Sequence, residues 1–213
     1  NKKGLGQHYF SKLDKINISN IKKNKRILIL KDIERFYMDP GGLYKSRHLT
    51  LNPNYEFFNY LSSDCKNNTY IKSFPWSNIN LSKKIFTEKF GKKIKFLNMH
   101  SSKEEYYNSK LLIIDTISTA FYEALYMGIP FILIYDFELN KFQSDFKNKL
   151  KELKKLNILH SSAKSAAIFV NKNYKNLFDW WNFVEKNKKF KNIKRSLINY
   201  KPNYISKITD ELK

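Results

Sequence analysis

The segment that most constrains the fold of this chain is residues 110–135, KLLIIDTISTAFYEALYMGIPFILIY. Four consecutive apolar residues precede Asp115, which is typical of a strand buried on both faces of a parallel sheet. A Ser-Thr pair then opens a helical pattern, which Gly128 and Pro130 end before a second apolar run. The segment therefore predicts a strand, a tight turn, a helix and a second strand.

The turn of this unit is the first candidate functional site. Ser118 or Thr119 is expected to be the N-cap of the helix. In a parallel sheet such a helix begins at the carboxyl edge, where backbone N–H groups and the helix dipole attract anions. The two hydroxyls are therefore candidate phosphate ligands, or equally caps of a purely structural helix. Asp115 could contact a ligand there or hydrogen-bond the turn.

The rest of the chain repeats this alternation of strand and helix. Further strands are predicted at 26–30, 70–74, 94–97 and 131–135, and helices at 53–61, 81–90, 101–107, 143–156, 161–170 and 177–198, with an irregular stretch from 31 to 51. This order predicts an α/β fold, a Rossmann-like doubly wound parallel sheet with helices on both faces. We expect residues 1–25 to be a linker or the remnant of an N-terminal domain, 26–175 the sheet domain, and 176–213 a C-terminal helical extension.

Composition narrows the possible partners. The 213 residues carry a formal charge of +21, but only four of the 40 basic residues are arginines, whose forked side chain nucleic-acid readers favour. This composition argues against a nucleic-acid partner. A membrane surface or an anionic glycan suits a lysine excess, although we expect most of these lysines simply to form a solvated surface. One cysteine excludes an intrachain disulfide. No apolar run is long enough for a membrane helix or a signal core, so a cytoplasmic location, with possible peripheral membrane association, is expected.

Four segments resemble the C-terminal half of a bacterial GT-B glycosyltransferase. They are YIKSFPW at 70–76, LLIIDTISTAFYEALYMGIPFI at 111–132, LNILHSSAKSAAIFVN at 156–171 and FDWWNFVEKNKKF at 178–190. Together they are most similar to the surface-carbohydrate transferase family first described in leptospires, which is related in style to the Kdo and sialic acid transferases. The resemblance spans most of residues 70–190.

The resemblance implies a nucleotide-sugar donor, CMP- or other NDP-linked, as substrate, with no separate cofactor. Ser118 and Thr119 would bind the donor phosphate. Glu123 would lie near a ribose or sugar hydroxyl, unless it is a solvent-exposed helix residue. Lys72 stands where the family motif has arginine, so a cationic phosphate contact would keep its charge but lose bidentate geometry. No Asp-X-Asp motif occurs, in agreement with a metal-independent reaction.

Other candidates are weaker. Arg35 and Arg47, in the irregular stretch, could bind a donor phosphate or a sugar carboxylate, or could be surface residues. His160, His8 and His100 are further candidate site residues, although a lone histidine is more often structural than catalytic. Trp180 and Trp181 are expected to pack the terminal helix against the domain.

The implied reaction needs a base near the acceptor, a glycan or a lipid-linked molecule. GT-B enzymes commonly supply that base from an N-terminal domain, so we expect a donor-binding half that is inactive alone unless a partner domain completes it. Two alternatives remain open: a CDP-glycerol-type polymer transferase, and a non-catalytic basic module for RNA or an anionic surface.

Overall fold

Six parallel strands form one sheet in the order β3-β2-β1-β4-β5-β6. The computed structural model describes residues 22–31, 45–73, 79–91, 94–97, 102–139 and 142–198. The strands are β1 Arg26–Lys31, β2 Thr69–Ser73, β3 Lys95–Phe96, β4 Ser109–Ile114, β5 Phe131–Ile134 and β6 Leu159–His160. This is the strand order of the dinucleotide-binding Rossmann fold, and it confirms the predicted doubly wound sheet.

Helices cover both faces of this sheet. They are α1 Lys45–Tyr60, α2 Ser63–Asn67, α3 Ile79–Phe90, α4 Ser102–Tyr107, α5 Thr119–Met127, α6 Ser144–Lys155, α7 Ala163–Asn173, α8 Leu177–Lys186 and α9 Lys188–Leu197. Short 3₁₀ helices follow β5 at Phe137–Leu139 and α7 at Tyr174–Asn176.

The central strands are apolar on both sides because each side faces its own core. Leu28, Leu112 and Leu133 point to one core, shared with α4, α5, α6, α8 and α9. Ile29 and Ile113 point to the other, shared with α1, α3 and α7. A continuous apolar run is what a strand covered on two faces requires, which is why this pattern was readable from the sequence.

Two predicted helices differ in the structure. The helix expected over 53–61 begins earlier, at Lys45, and therefore contains Pro53 in its interior. Proline and the polar residues before it mask the helical pattern, whereas packing of α1 on α7 supports the helix. The single helix expected over 177–198 is broken at Asn187, whose side-chain oxygen accepts from the amides of Lys189 and Phe190 and begins α9.

The site region lies where the winding of the sheet reverses, between β1 and β4. Leu30 near the carboxyl end of β1 pairs with Lys72 of β2 on one side and with Ile114 of β4 on the other. The chain leaves β1 and β4 toward opposite halves of the sheet, which opens a crevice at their carboxyl ends. Ligands of open α/β sheets bind in this crevice, so its lining residues are the natural candidates here.

Two kinds of feature are absent from the described residues. No helix in this part of the chain is long and apolar enough to cross a membrane. The same ranges contain no group of three or more His, Cys, Asp or Glu side chains arranged to hold a metal ion.

Candidate functional site

The turn between β4 and α5 presents the start of a helix at the crevice. Ser118 is the N-cap, with extended backbone at φ −117° and ψ −173°, and the helix opens with Phe121 N donating to Ser118 O at 3.0 Å. The amides of Thr119 and Ala120 precede that bond and point out of the helix end, where the dipole is positive. This geometry suits an anion.

The hydroxyls at this turn are available in different ways. The Ser118 side chain forms no capping hydrogen bond with its helix, and the residue is half-buried, whereas Thr119 is exposed. By contrast Ser162, the N-cap of α7, accepts from Ser165 N at 3.2 Å. An N-cap serine usually accepts a hydrogen bond from a backbone N–H of its own helix, and the hydroxyl of Ser118 does not.

Asp115 anchors the turn from the other face of the sheet. Its side chain is buried, and Oδ2 accepts from Asn54 Nδ2 of α1 at 2.6 Å. Asn54 is fully buried, and its Oδ1 accepts no hydrogen bond from the described residues. Asp115 was expected either to contact a ligand or to hydrogen-bond the turn. In the structure it accepts a hydrogen bond from a residue of α1.

Glu123, one turn into α5, is buried rather than solvent-exposed. The hydroxyl of Tyr106 on α4 donates to Glu123 Oε2 at 2.8 Å. The expectation of an exposed helix glutamate is wrong, because Glu123 lies on the side of α5 that faces α4. Its role toward a ribose or sugar stays a prediction.

Lys72 is buried near the carboxyl end of β2, two strands from β4. Burial lowers the pKa of its ammonium, and the carboxylates of Glu105 and Glu104 on α4 act in the opposite direction. Since Lys72 pairs with Leu30, it lies on the face of the sheet that carries α4 and α5. It is thus on the same face as Glu123, while Asp115 approaches α1 on the other face.

His160 lies apart from this turn, at the end of the edge strand β6. Its Nε2 is 3.1 Å from Asn157 O, its Nδ1 is 3.3 Å from Ser165 Oγ, and its ring packs 5.5 Å from that of Phe169. Burial lowers the pKa of the imidazole. These contacts fix His160 between β6 and α7, which is consistent with a structural role.

Several candidates cannot be placed. Arg35, His8 and His100 lie outside the described residues. Arg47 belongs to the first turn of α1, not to an irregular stretch, but its side chain lies outside the description.

Sequence reasoning missed Asn54 and Tyr106, the two partners that hold the candidate carboxylates. Asn54 directly follows a helix proline and is the buried polar residue among the apolar side chains of α1. Tyr106 looks like one more core aromatic. No local pattern pairs either of them with a residue far along the chain.

Comparison with models of known protein families finds a match over nearly the whole length of the chain. The model of the LIC12162 family transferases matches residues 4–211. The chain belongs to this family of transferases. The candidate phosphate turn at the start of α5 therefore lies in a member of the LIC12162 family.

Two other comparisons add little to the family assignment. A search of curated proteins found no match. Among solved structures, one match is the crystal structure of WaaG, a glycosyltransferase involved in lipopolysaccharide biosynthesis, at 11% identity and a TM-score of 0.42. The match covers 92% of this chain and 51% of WaaG, so the chain spans about half the length of that protein.

Proposed function

We propose that this LIC12162-family transferase is the donor-binding part of a GT-B-type glycosyltransferase. It would transfer a sugar from a CMP- or other NDP-linked donor during synthesis of a bacterial surface polysaccharide or lipopolysaccharide. The observation that carries the proposal is the Ser118 N-cap at the switch point of the sheet, where the helix is not capped by that serine's own hydroxyl. The four segments that resemble GT-B surface-carbohydrate transferases support the sugar donor.

The proposed chemistry follows from the turn. Cleavage of the donor leaves negative charge on the nucleotide phosphate, and preorganised N–H and O–H donors stabilise developing charge without reorganising. The amides of Thr119 and Ala120 and the two hydroxyls would provide these donors. The dipole of α5 would add a favourable potential at the same point. We propose that the reaction proceeds without a metal ion.

The carboxylates would then orient the donor rather than bind its phosphate. Glu123, five residues after Ser118, is held by Tyr106, and Asp115 is held by Asn54 at the end of β4. A carboxylate can accept several hydrogen bonds, so one that is oriented by a protein donor could also accept from a hydroxyl group of a ribose or sugar. The acceptor, a glycan or lipid-linked molecule, and the base that deprotonates it would come from a second domain, at the inner face of the membrane.

A nucleotide panel read by thermal shift tests the proposal. CMP, CDP and UDP are each added to the full chain, and we expect at least one of them to raise the melting temperature. Ser118→Ala should abolish that shift while leaving the melting temperature of the free protein nearly unchanged, because this hydroxyl does not cap its helix.

Ser62→Ala is the matched control. Ser62 is also an N-cap serine, but its hydroxyl accepts from Cys65 N at 3.4 Å and it precedes β2 at the amino edge of the sheet. This variant should lower the melting temperature and keep the nucleotide shift. If no nucleotide stabilises the protein, or if Ser118→Ala shifts as much as the parent, the donor site is elsewhere. Stabilisation by CDP-glycerol alone would identify a polyol-phosphate transferase instead.

A further inference from the structure

Helices α6 and α9 together form a lysine-rich surface, here called the basic face. α6 carries five lysines and two carboxylates, and α9 carries four lysines, Arg195 and no carboxylate. The two helices are adjacent, since Lys189 Nζ lies 3.1 Å from Glu152 Oε2. Their apolar residues point inward, because Leu150, Leu153 and Phe190 are fully buried. The lysines are therefore presented outward on one continuous surface.

The carboxylates on this surface do not neutralise it. Asp145 and Glu152 are both engaged in ion pairs with lysines of the face, and Glu138 beside it pairs with Lys147. Within the described part of the chain, five exposed cations of the face form no ion pair: Lys151, Lys154, Lys188, Lys191 and Arg195. The face thus keeps a net positive charge after its internal pairing.

A groove runs along α6 where it meets the 3₁₀ helix after β5. This open groove has a volume of about 600 Å³ and is lined by Lys151, Lys154 and Lys155, by the carboxylates of Glu138 and Glu152, and by Phe137. Lys154 Nζ lies 5.9 Å from the ring centroid of Phe137, which forms a buried floor. Because Glu138 and Glu152 are ion-paired with other lysines, the ammonium groups of Lys151 and Lys154 remain to attract a phosphate-bearing headgroup.

We propose that the basic face docks the protein on a membrane leaflet rich in anionic phospholipid. Lysines act as point charges and bind such a surface through summed attraction, with no fixed geometry. A single-stranded RNA would favour exposed aromatic platforms and arginine forks. On this face Phe190 is buried, Phe146 is half-buried against Phe142, and lysine outnumbers arginine nine to one.

The basic face is separate from the donor site. α9 packs against α5 at its C-terminal end, where Lys194 Nζ would lie 3.7 Å from a Cβ added at Gly128, whereas Ser118 begins the same helix at its other end. Docking through α6 and α9 would therefore leave the phosphate turn free of the docking surface. The proposal does not require the donor to be a nucleotide sugar, so it can be tested separately.

Cosedimentation of the full chain with lipid vesicles tests whether the basic face binds an anionic membrane. Vesicles of mixed phosphatidylcholine and phosphatidylglycerol should bind the protein, vesicles of phosphatidylcholine alone should not, and added salt should weaken the binding. The triple variant Lys151→Gln, Lys154→Gln and Lys188→Gln should bind at least about tenfold more weakly, because each lysine near an anionic surface adds to the attraction.

The control removes the same charge from the opposite side of the sheet. Lys164→Gln, Lys172→Gln and Lys175→Gln change three exposed lysines in and after α7, which packs on the other core. This variant should lose less than about threefold in affinity, as expected for distant charges. Equal losses in both triple variants would mean that only net charge matters and would overturn the proposal. So would an absence of binding to the anionic vesicles, or tighter binding of a single-stranded RNA than of those vesicles.

Discussion

Asn54 and Asp115 are 61 positions apart in the sequence, and the amide Nδ2 of Asn54 donates to Oδ2 of Asp115 across 2.6 Å. Both side chains are buried at the carboxyl end of β4. The bond joins α1, which covers one face of the sheet, to the turn that begins α5 on the other. It therefore fixes the strand end from which the candidate phosphate turn starts.

Removing the amide should destabilise the fold. Asn54→Ala leaves a buried carboxylate without this donor, so we expect the free energy of unfolding to fall by about 1–3 kcal/mol. A double-mutant cycle with Asp115→Ala in urea should give a coupling energy of at least about 0.5 kcal/mol. Asn59→Ala, in an exposed position of the same helix, should change stability by only a few tenths. A coupling energy of zero would show that the two side chains do not support each other.

Tyr106 should matter through its hydroxyl alone. Tyr106→Phe keeps the buried ring but removes the donor to Glu123, which should cost about 1–3 kcal/mol of unfolding free energy. Tyr60→Phe is the control, because Tyr60 is 43% exposed. In the Tyr106→Phe background, Glu123→Leu should cost less than it does in the parent, since the bond is already lost. Additive costs would argue against the hydrogen bond.

His160 should make the protein acid-sensitive. Burial lowers the pKa of its imidazole from the ordinary value of 6.5, so the unfolded chain takes up a proton first as the pH falls. Above about pH 7 both states are neutral at this residue and it contributes nothing to the pH dependence. Stability should then drop as the pH falls through about 6.5 toward the lower folded pKa. Urea midpoints measured across this window should drop less in His160→Gln than in the parent. The other histidines are the same in both proteins, so equal drops would rule out this origin.

Gly128 should resist substitution for a backbone reason. It ends α5 at φ +76°, and a Cβ added there would meet its nearest neighbours, Lys194 Nζ and Glu185 Oε1, only at ordinary contact distances. Gly128→Ala should therefore cost about 1–2 kcal/mol through the left-handed conformation alone. Gly91→Ala, at φ +79° with open space around it, should cost a similar amount in chemical denaturation. A much larger loss at Gly128 would instead indicate crowding, and Gly128→Asn should recover part of the loss because asparagine tolerates this region.

The sheet could be predicted because burial on two faces leaves a local signature. The runs around Ile29, Ile113 and Ile132 are apolar without alternation, and Gly128 and Pro130 mark the end of a helix within a few residues. The packing of the terminal helix was also predicted from its tryptophans. Trp181 is fully buried, and its Nε1 donates to Gly128 O at 2.9 Å. Large aromatics at helical spacing rarely have another use.

The boundaries of α1 and of the last two helices were not readable in the same way. Pro53 obscures a helix whose support comes from α7, more than a hundred positions away, and Asn187 acts as a cap only because the chain turns there. The intrinsic helical preference of these segments is weak, and their helices are stabilised by packing against residues that lie far away in the sequence.

The sequence alone determined the class of fold, the strands β1 to β5, and the position of a helix start bearing Ser118 and Thr119 after β4, because periodicity and caps act within a few residues. It did not predict the two-residue strand β6 or the five-residue helix α2, which are too short to leave a periodic pattern. Only the tertiary structure decided that Glu123 is buried against Tyr106, that Asp115 is held by Asn54, and that the lysines of α6 and α9 share one surface. These are contacts between distant segments, and their partners become neighbours only when the helices close over the sheet.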